Sequence, residues 1–273
     1  MTPPRSDRDQ SIRVVAAGEE SRPLVVVLHG WGSNSGLMRG FVDRLSDAFR
    51  VLNVDLPGHG QAPAPAAPMG MEEHAAALAS LIRDQDQGPA HVIGHSNGGR
   101  IALWMAGSET HCHLIASLTL ISPSGVRRPR RTGYYVRKWT AKILKAPFSV
   151  LPRPFREAGL DWLRHSLVWR LLGSSDYRAL RGTMRETFVR LVNTYVEDRL
   201  PLITAPTLVF WGTKDDAVLR PQIDILVNGI SDAGLVPLNG AGHYGFLDAP
   251  ETVLEGTRSF LDQIGQTGPE VAR

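Results

Sequence analysis

The sequence predicts an α/β fold, in which helices cover both faces of a mostly parallel sheet and a helical insertion interrupts the alternation. Short apolar stretches alternate with amphipathic helical stretches in both outer parts of the chain, which is typical of such folds. The alternation stops after residue 122 and resumes at residue 205. A chain of 273 residues, 42% of them hydrophobic, is long enough to bury the core that a large sheet requires.

The first part of the chain predicts five strands and three helices. "PLVVVLHG" (23–30) is continuously apolar, as expected for a central strand that is buried on both faces. "MEEHAAALASLIRD" (71–84) is rich in Ala and Leu and has acidic residues in its first turn, which favours a helix. The remaining strands are expected at 11–18, 90–96, 114–122 and in the segment 50–60, which ends in a Pro/Gly turn, and the remaining helices at 36–49 and 98–107.

The last part of the chain returns to the same alternation. We expect strands at 205–212 and 233–240, a helix near 221–229 and a final helix from Pro250 to about Ile264.

The segment between the two parts is too long to be a loop in a compact domain. Residues 126–200 carry three tryptophans and have helix-like patterning, so we expect a helical cap there. The domain prediction is therefore one discontinuous core, 1–125 with 201–273, and one inserted cap.

Charge is distributed unevenly between these parts. The whole chain has 30 Lys and Arg against 27 Asp and Glu, a net charge of +3. Residues 123–200 hold 17 basic against 6 acidic residues, or +11, which leaves −8 for the remainder. A basic cap would suit an acidic acyl carrier or a CoA ester as a partner. The alternative is that cap helices display arginines to solvent while they bury their aromatic side chains.

Composition also predicts the compartment. No apolar run is long enough to cross a bilayer, and the charged N-terminus lacks the apolar core of a secretory signal. A single cysteine, Cys112, excludes an internal disulfide and fits a reducing environment. We therefore expect a soluble, cytoplasmic protein, without a nucleic-acid partner.

One decapeptide, "HVIGHSNGGR" (91–100), carries a candidate nucleophile. Ser96 lies where a predicted strand ends and a predicted helix begins, inside the pattern G-x-S-x-G. Gly94 and Gly98 stand where side chains would collide across so tight a turn. The pattern alone is also compatible with a plain glycine turn, so the rest of the chain must decide.

Two further strand ends carry candidate partners for this serine. "FWGTKDDAV" places Asp215 and Asp216 just after the predicted strand 205–212. Of the nine histidines, His243 alone follows the last predicted strand and precedes the last predicted helix. The "HCH" run at 111–113 does not predict a metal site, because three adjacent residues cannot close a tetrahedral shell.

The ordered motifs "LHGWGSN", "VDLPGHG", "GHSNGGR", "WGTKDD" and "GAGHYGFLDAPE" resemble the α/β-hydrolase superfamily of serine esterases. The resemblance runs from about residue 11 to residue 265. The first two motifs are also similar to those of the esterases that hydrolyse the methyl ester of pimeloyl-acyl carrier protein. A serine at position 96 argues against the dehalogenases and epoxide hydrolases of this superfamily, which use aspartate.

The resemblance implies a role for each candidate. Ser96 is the nucleophile, His243 the general base, and Asp215 the acid that orients the base, with Asp216 as the alternative acid. Backbone N–H groups of Trp31 and Asn97 are expected to form the oxyanion hole.

The implied function is hydrolysis of a carboxylic ester with a small or medium-chain acyl group, through an acyl-enzyme and without a metal or organic cofactor. The first alternative is a thioesterase or an acyl-carrier-protein ester hydrolase that uses the basic cap. A C–C bond hydrolase and a non-catalytic binding protein of the same fold are further alternatives.

Overall fold

We describe the protein from a computed structural model, which defines residues 11–128 and 180–266. The predicted α/β fold with a mostly parallel sheet is confirmed. Its seven strands are β1 (Arg13–Ala17), β2 (Leu24–Leu28), β3 (Arg50–Asp55), β4 (Ala90–His95), β5 (Ile115–Ile121), β6 (Thr207–Gly212) and β7 (Ala233–Leu238). They form one sheet in the order β1–β3–β2–β4–β5–β6–β7. β1 runs antiparallel to β3, and the other neighbouring pairs are parallel.

Helices connect the strands at close to the predicted positions. They are α1 (Arg39–Leu45), α2 (Met71–Arg83), α3 (Asn97–Ala106), α4 (Gly182–Asn193), α5 (Arg220–Gly229), α6 (Gly245–Asp248) and α7 (Pro250–Gln266). Short 3-10 segments lie at Ser35–Met38, Cys112–Leu114 and Glu197–Leu202.

The predicted helix 36–49 is shorter in the structure. It begins as a 3-10 turn at Ser35, whose backbone N–H donates to the Asp55 carboxylate, and the Asn34 side chain accepts from the Gly36 N–H at 2.9 Å. α1 then ends at Leu45, and Phe49 is buried in the turn that leads to β3. One of these bonds is local and the other comes from the end of β3, and together they set the start of the turn.

Two apolar cores lie on the two faces of the sheet. The central strand β2 contributes side chains to both cores, and all five of its residues are at most 3% exposed, as the apolar sequence predicts. On one face, apolar side chains of α2, α3 and α5 pack on alternate strand residues. On the other face the layer consists of α1 and α7. This three-layer arrangement leaves the carboxyl edge of the sheet available to loops.

The described part of the predicted cap is small. α4 contacts the loop that precedes α2: the Met69 N–H donates to the Thr187 hydroxyl at 3.0 Å, and the Arg190 guanidinium donates to the Pro68 carbonyl at 2.7 Å. Residues 129–179, with most of the predicted cap, lie outside the described residues, so the cap boundaries stay a prediction. Across 11–128 and 180–266, no helix is both long and apolar enough to cross a membrane.

Strand order places several loops together. β3 lies on one side of β2 and β4 on the other, so the chain changes direction between β2 and β4. In open parallel sheets, the loops at the carboxyl ends beside such a point form a crevice. The segments that follow β2, β4, β6 and β7 carry the candidate residues predicted from the sequence.

Candidate active site

Ser96 occupies a strained turn between β4 and α3. Its backbone has φ 51° and ψ −110°, a conformation that costs a non-glycine residue about 1–3 kcal/mol. Two backbone hydrogen bonds hold it there: the Ser96 N–H donates to the Ile121 carbonyl at 3.1 Å, and the Ser124 N–H donates to the Ser96 carbonyl at 3.0 Å. The surrounding fold therefore fixes the position of the hydroxyl.

The turn is possible only because Gly94 and Gly98 lack side chains. A Cβ on Gly94 would lie 2.6 Å from the Gly99 Cα, and one on Gly98 would lie 2.4 Å from the Leu28 carbonyl oxygen. Both contacts are with backbone, which cannot move aside without displacing a strand or a helix. These are the collisions that the spacing predicts.

His243 joins the serine to a carboxylate. It follows β7, and its Nε2 lies 3.0 Å from the Ser96 Oγ, while its Nδ1 lies 2.9 Å from Oδ2 of Asp215. When Nδ1–H donates to the carboxylate, the neutral ring presents Nε2 as an acceptor to the serine hydroxyl. The arrangement can therefore move a proton from the hydroxyl to the ring.

Asp215 is held by three hydrogen bonds. Its Oδ1 accepts from the Ala217 N–H at 2.8 Å and the Val218 N–H at 2.9 Å, while Oδ2 accepts from His243. Burial raises the pKa of Asp215, but the bonds from His243 and Val218 outweigh it, so the pKa lies below its ordinary value. The carboxylate is therefore ionised although its side chain is 0% exposed.

Asp216 takes a different place. Its side chain is exposed, and its backbone carbonyl accepts from the Arg128 guanidinium at 3.1 Å. The structure thus brings Asp215, and not Asp216, to His243.

Sequence reasoning missed a second serine beside the carboxylate. Ser122 follows β5, is 0% exposed and has φ 46°. Its hydroxyl makes no hydrogen bond of ordinary geometry with the residues that the structure describes, yet it lies near enough to Asp215 to lower the pKa of that carboxyl. Its position in the sequence, directly after the strand that pairs with β6, could have indicated that it lies near Asp215.

The loop after β2 passes directly against Ser96. A Cβ on Gly30 would lie 3.2 Å from the Ser96 Cβ, so the Trp31 residue that follows is close to the serine. Asn97 is the first residue of α3, where a backbone N–H has no intrahelical acceptor. The predicted donors thus lie on the two segments that meet at Ser96, and their role as an oxyanion hole stays a prediction.

The Trp31 side chain belongs to a ring cluster beside this loop. Its ring lies 4.6 Å from the His59 ring and 5.1 Å from the Phe188 ring of α4. The His59 ring is also 5.3 Å from that of His29. The cluster thus joins the loop after β2 to the described part of the insertion.

His29 is neutral in this environment. Its Nδ1–H donates to the Gly30 carbonyl at 2.7 Å, and its Nε2 accepts from the Leu56 N–H at 3.0 Å, so each ring nitrogen has a role that only the neutral ring fills. Burial lowers the pKa of His29 to about 4. Burial is also the main cause that lowers the pKa values of His59, His74, His91 and His95.

These buried histidines predict acid lability. A histidine whose folded pKa lies below 6.5 contributes stability above that pH and loses it as pH falls toward the folded value. His29 and His95 have pKa values of about 4 and about 3. Together they should lower the free energy of unfolding by about 4 kcal/mol at pH 5 relative to pH 7.5. Urea titrations at the two pH values measure this loss.

A His29→Gln variant provides the matched comparison. It is expected to be less stable than the parent at pH 7.5, but its loss between pH 7.5 and pH 5 should shrink by about 2 kcal/mol, because one titrating group is gone. Equal unfolding free energies of the parent at the two pH values would contradict the neutral assignment.

The described residues hold no evident metal site. Within 11–128 and 180–266, no three His, Cys, Asp or Glu side chains come together in a way that could hold a metal ion.

Comparison with known proteins places the chain in a family. The sequence profile described as alpha/beta hydrolase fold matches residues 23–250. A pimeloyl-[acyl-carrier protein] methyl ester esterase of Aeromonas hydrophila is 27% identical over 257 residues, which cover 88% of this chain and 95% of the relative. An uncharacterized protein of Mycobacterium bovis is 25% identical over 277 residues, covering 93% of this chain and 78% of the relative.

Solved structures show the same fold. An esterase from Exiguobacterium antarcticum superimposes with a TM-score of 0.68 at 23% identity, covering 92% of this chain and 95% of the other. The profile match extends over most of the chain and includes the segments that carry Ser96 and Asp215 and His243. The protein belongs to the α/β-hydrolase fold family.

Proposed function

We propose that the protein is a serine hydrolase that cleaves a carboxylic ester of a small or medium-chain acyl group. One observation carries the proposal: His243 contacts the Ser96 hydroxyl at 3.0 Å and the Asp215 carboxylate at 2.9 Å at once. A nucleophile in contact with a base, and a base oriented by a third group, is the arrangement that activates a serine. The esterases among its relatives support the ester as the substrate class.

In the proposed acylation step, His243 takes the Ser96 proton while Oγ attacks the ester carbonyl carbon. The Asp215 carboxylate stabilises the imidazolium that forms, and the N–H groups of Trp31 and Asn97 bind the oxyanion. Collapse of the tetrahedral intermediate breaks the carbon–oxygen bond to the alcohol, which receives the proton from His243.

In the proposed deacylation step, His243 removes a proton from water, and the hydroxide attacks the acyl-enzyme. The same two N–H groups bind the second oxyanion. The intermediate then releases the carboxylic acid, and the proton returns to the Ser96 oxygen, which restores the resting site.

A second candidate function is hydrolysis of an ester carried by an acidic acyl carrier or by CoA. The observation in its favour is the excess of 11 positive charges in residues 123–200, together with relatives that act on a carrier-linked methyl ester. Among the described residues of that segment, Arg128, Arg181 and Arg185 are at least partly exposed. A positively charged surface attracts such carriers over a range that salt shortens.

One substrate panel tests both candidates. We expect hydrolysis of p-nitrophenyl acetate and butyrate, with rates that fall for long acyl chains and change little between 50 and 500 mM NaCl. If the second candidate is right, kcat/KM on a carrier-linked methyl ester exceeds that on the free methyl ester at low salt and loses the advantage at high salt. No turnover of any ester or thioester, at any chain length, would contradict the proposed function.

A further inference from the structure

His95 lies beside Ser96 but has contacts that the proposed steps do not use. It is the last residue of β4 and is 2% exposed. Its Nε2 lies 3.0 Å from the backbone carbonyl oxygen of His243. Because a carbonyl can only accept, the His95 Nε2 carries a proton and donates it. The residue before the nucleophile thus binds the main chain of the base.

The His95 ring also packs against the segment that carries the base. Its centroid lies 4.9 Å from that of His243, 5.2 Å from that of Tyr244 and 5.1 Å from that of Phe246. These separations are those of ordinary aromatic contacts. The ring therefore fixes both the carbonyl of His243 and the side chains that follow it.

The opposite edge of the ring faces the loop after β2. A Cβ on Gly30 would lie only 2.9 Å from the His95 Nδ1, so the loop approaches the ring without a side chain between them. This Nδ1 is buried and has no hydrogen-bond partner within residues 11–128 and 180–266. One side chain therefore touches the segments that carry the nucleophile, the base and the Trp31 N–H.

The ring is neutral at these contacts. Burial, followed by the charge that His243 can carry, lowers the pKa of His95 to about 3. The other groups that act on it are Asp215, which raises the pKa, and His29, which lowers it, and Tyr244 stacks on the ring. A neutral ring at 4.9 Å adds no repulsion when His243 becomes an imidazolium.

We propose that His95 is a positioning residue for the hydrolysis: its Nε2–H bond to the His243 carbonyl holds the base between Ser96 and Asp215. The inference rests on the proposed function. The bond is made to main chain, so its loss would displace the whole base segment. A displacement of about 1 Å at reacting groups lowers a rate by about 100-fold. The residue acts through the main chain of His243 and takes no part in the proposed bond changes.

The test compares side chains that differ in reach. Gln places an amide nitrogen near the His Nε2 position and can donate to the His243 carbonyl, whereas the shorter Asn and the apolar Leu cannot. We expect His95→Leu and His95→Asn to lower kcat on p-nitrophenyl butyrate by about tenfold or more with little change in KM. His95→Gln should retain at least about a third of the parental kcat.

His91→Leu is the matched control. His91 lies on the same strand, is 9% exposed, and its Nδ1 makes a 2.8 Å hydrogen bond to the Ser117 hydroxyl, away from the base segment. The variant removes a buried imidazole and its bond, so it should lower thermal stability as His95→Leu does but leave kcat unchanged. Kinetics are measured on folded protein at a temperature well below the unfolding midpoints.

The outcomes separate the two proposals. A wild-type protein that hydrolyses no ester and does not react with a fluorophosphonate probe overturns the proposed function, and the inference with it. If the wild type is active and His95→Leu has the same kcat as His91→Leu, the positioning role alone is overturned. Equal losses of kcat in His95→Gln and His95→Asn also overturn it, because a donor that contacts the His243 carbonyl would then make no difference.

Discussion

Ser96→Ala is expected to lower kcat on p-nitrophenyl butyrate by about 10⁴-fold or more. The variant removes the proposed nucleophile, while the proposed base and oxyanion donors remain in place. The residual rate over water would come from those groups. The measurement is initial velocity at saturating substrate, with a fluorophosphonate probe mapped by mass spectrometry.

The probe provides the control for this variant. Wild type should carry the label on Ser96, and Ser96→Ala should carry none. The unfolding midpoint should not change, because φ 51° is as unfavourable for alanine as it is for serine. Ser80→Ala, on α2, should be labelled and active like wild type. Near-native activity of Ser96→Ala would show that the nucleophile is another residue.

Asp215→Asn is expected to lower kcat by about 10³-fold or more with a small change in KM. Oδ1 of Asp215 accepts from the Ala217 and Val218 N–H groups, so the asparagine oxygen must stay there and its NH₂ must face the His243 Nδ1. The ring would then accept at Nδ1 and carry its proton on Nε2. In that tautomer it cannot take the Ser96 proton.

Asp216→Asn is the paired control for this prediction. The Asp216 side chain is exposed, and its backbone carbonyl accepts from the Arg128 guanidinium. The substitution keeps that carbonyl, so kcat should stay within about twofold of wild type. Equal, modest losses in the two variants would remove Asp215 from its assigned role.

Much of the site could be predicted because its residues occupy strand ends. Ser96 and His243 each lie in a short glycine-rich segment between a predicted strand and a predicted helix, so sequence position alone indicates the edge of the sheet that they share. In a parallel sheet these edges coincide, and proximity follows from topology. Residues 147 apart in sequence were thus expected to meet.

Other features depend on geometry that strand patterns do not contain. Asp215 and Asp216 are adjacent acids with the same local pattern, and only the turn that begins with the Asp215 N–H bond to the Gly212 carbonyl decides which one points inward. The contacts of Ser122 and His95 cross between segments far apart in the chain, so they depend on strand register and loop path. The predicted helix 36–49 was too long because its first turn is a 3-10 segment and α1 ends at Leu45, four residues before Phe49.

The hydrogen bond between Ser96 and His243 also has a consequence for how the protein folds. Ser96 follows β4 and His243 follows β7, so residues 147 apart in the sequence must meet, and β5 must pair with β6 across the whole insertion. Contacts between such distant residues form slowly, because loop closure precedes any gain from them. Local helices such as α2 can form early, whereas the hydrolytic geometry exists only after the last strand has joined the sheet. The proposed hydrolytic activity therefore requires that β7 has joined the sheet, and a partly assembled sheet without β7 should be inactive.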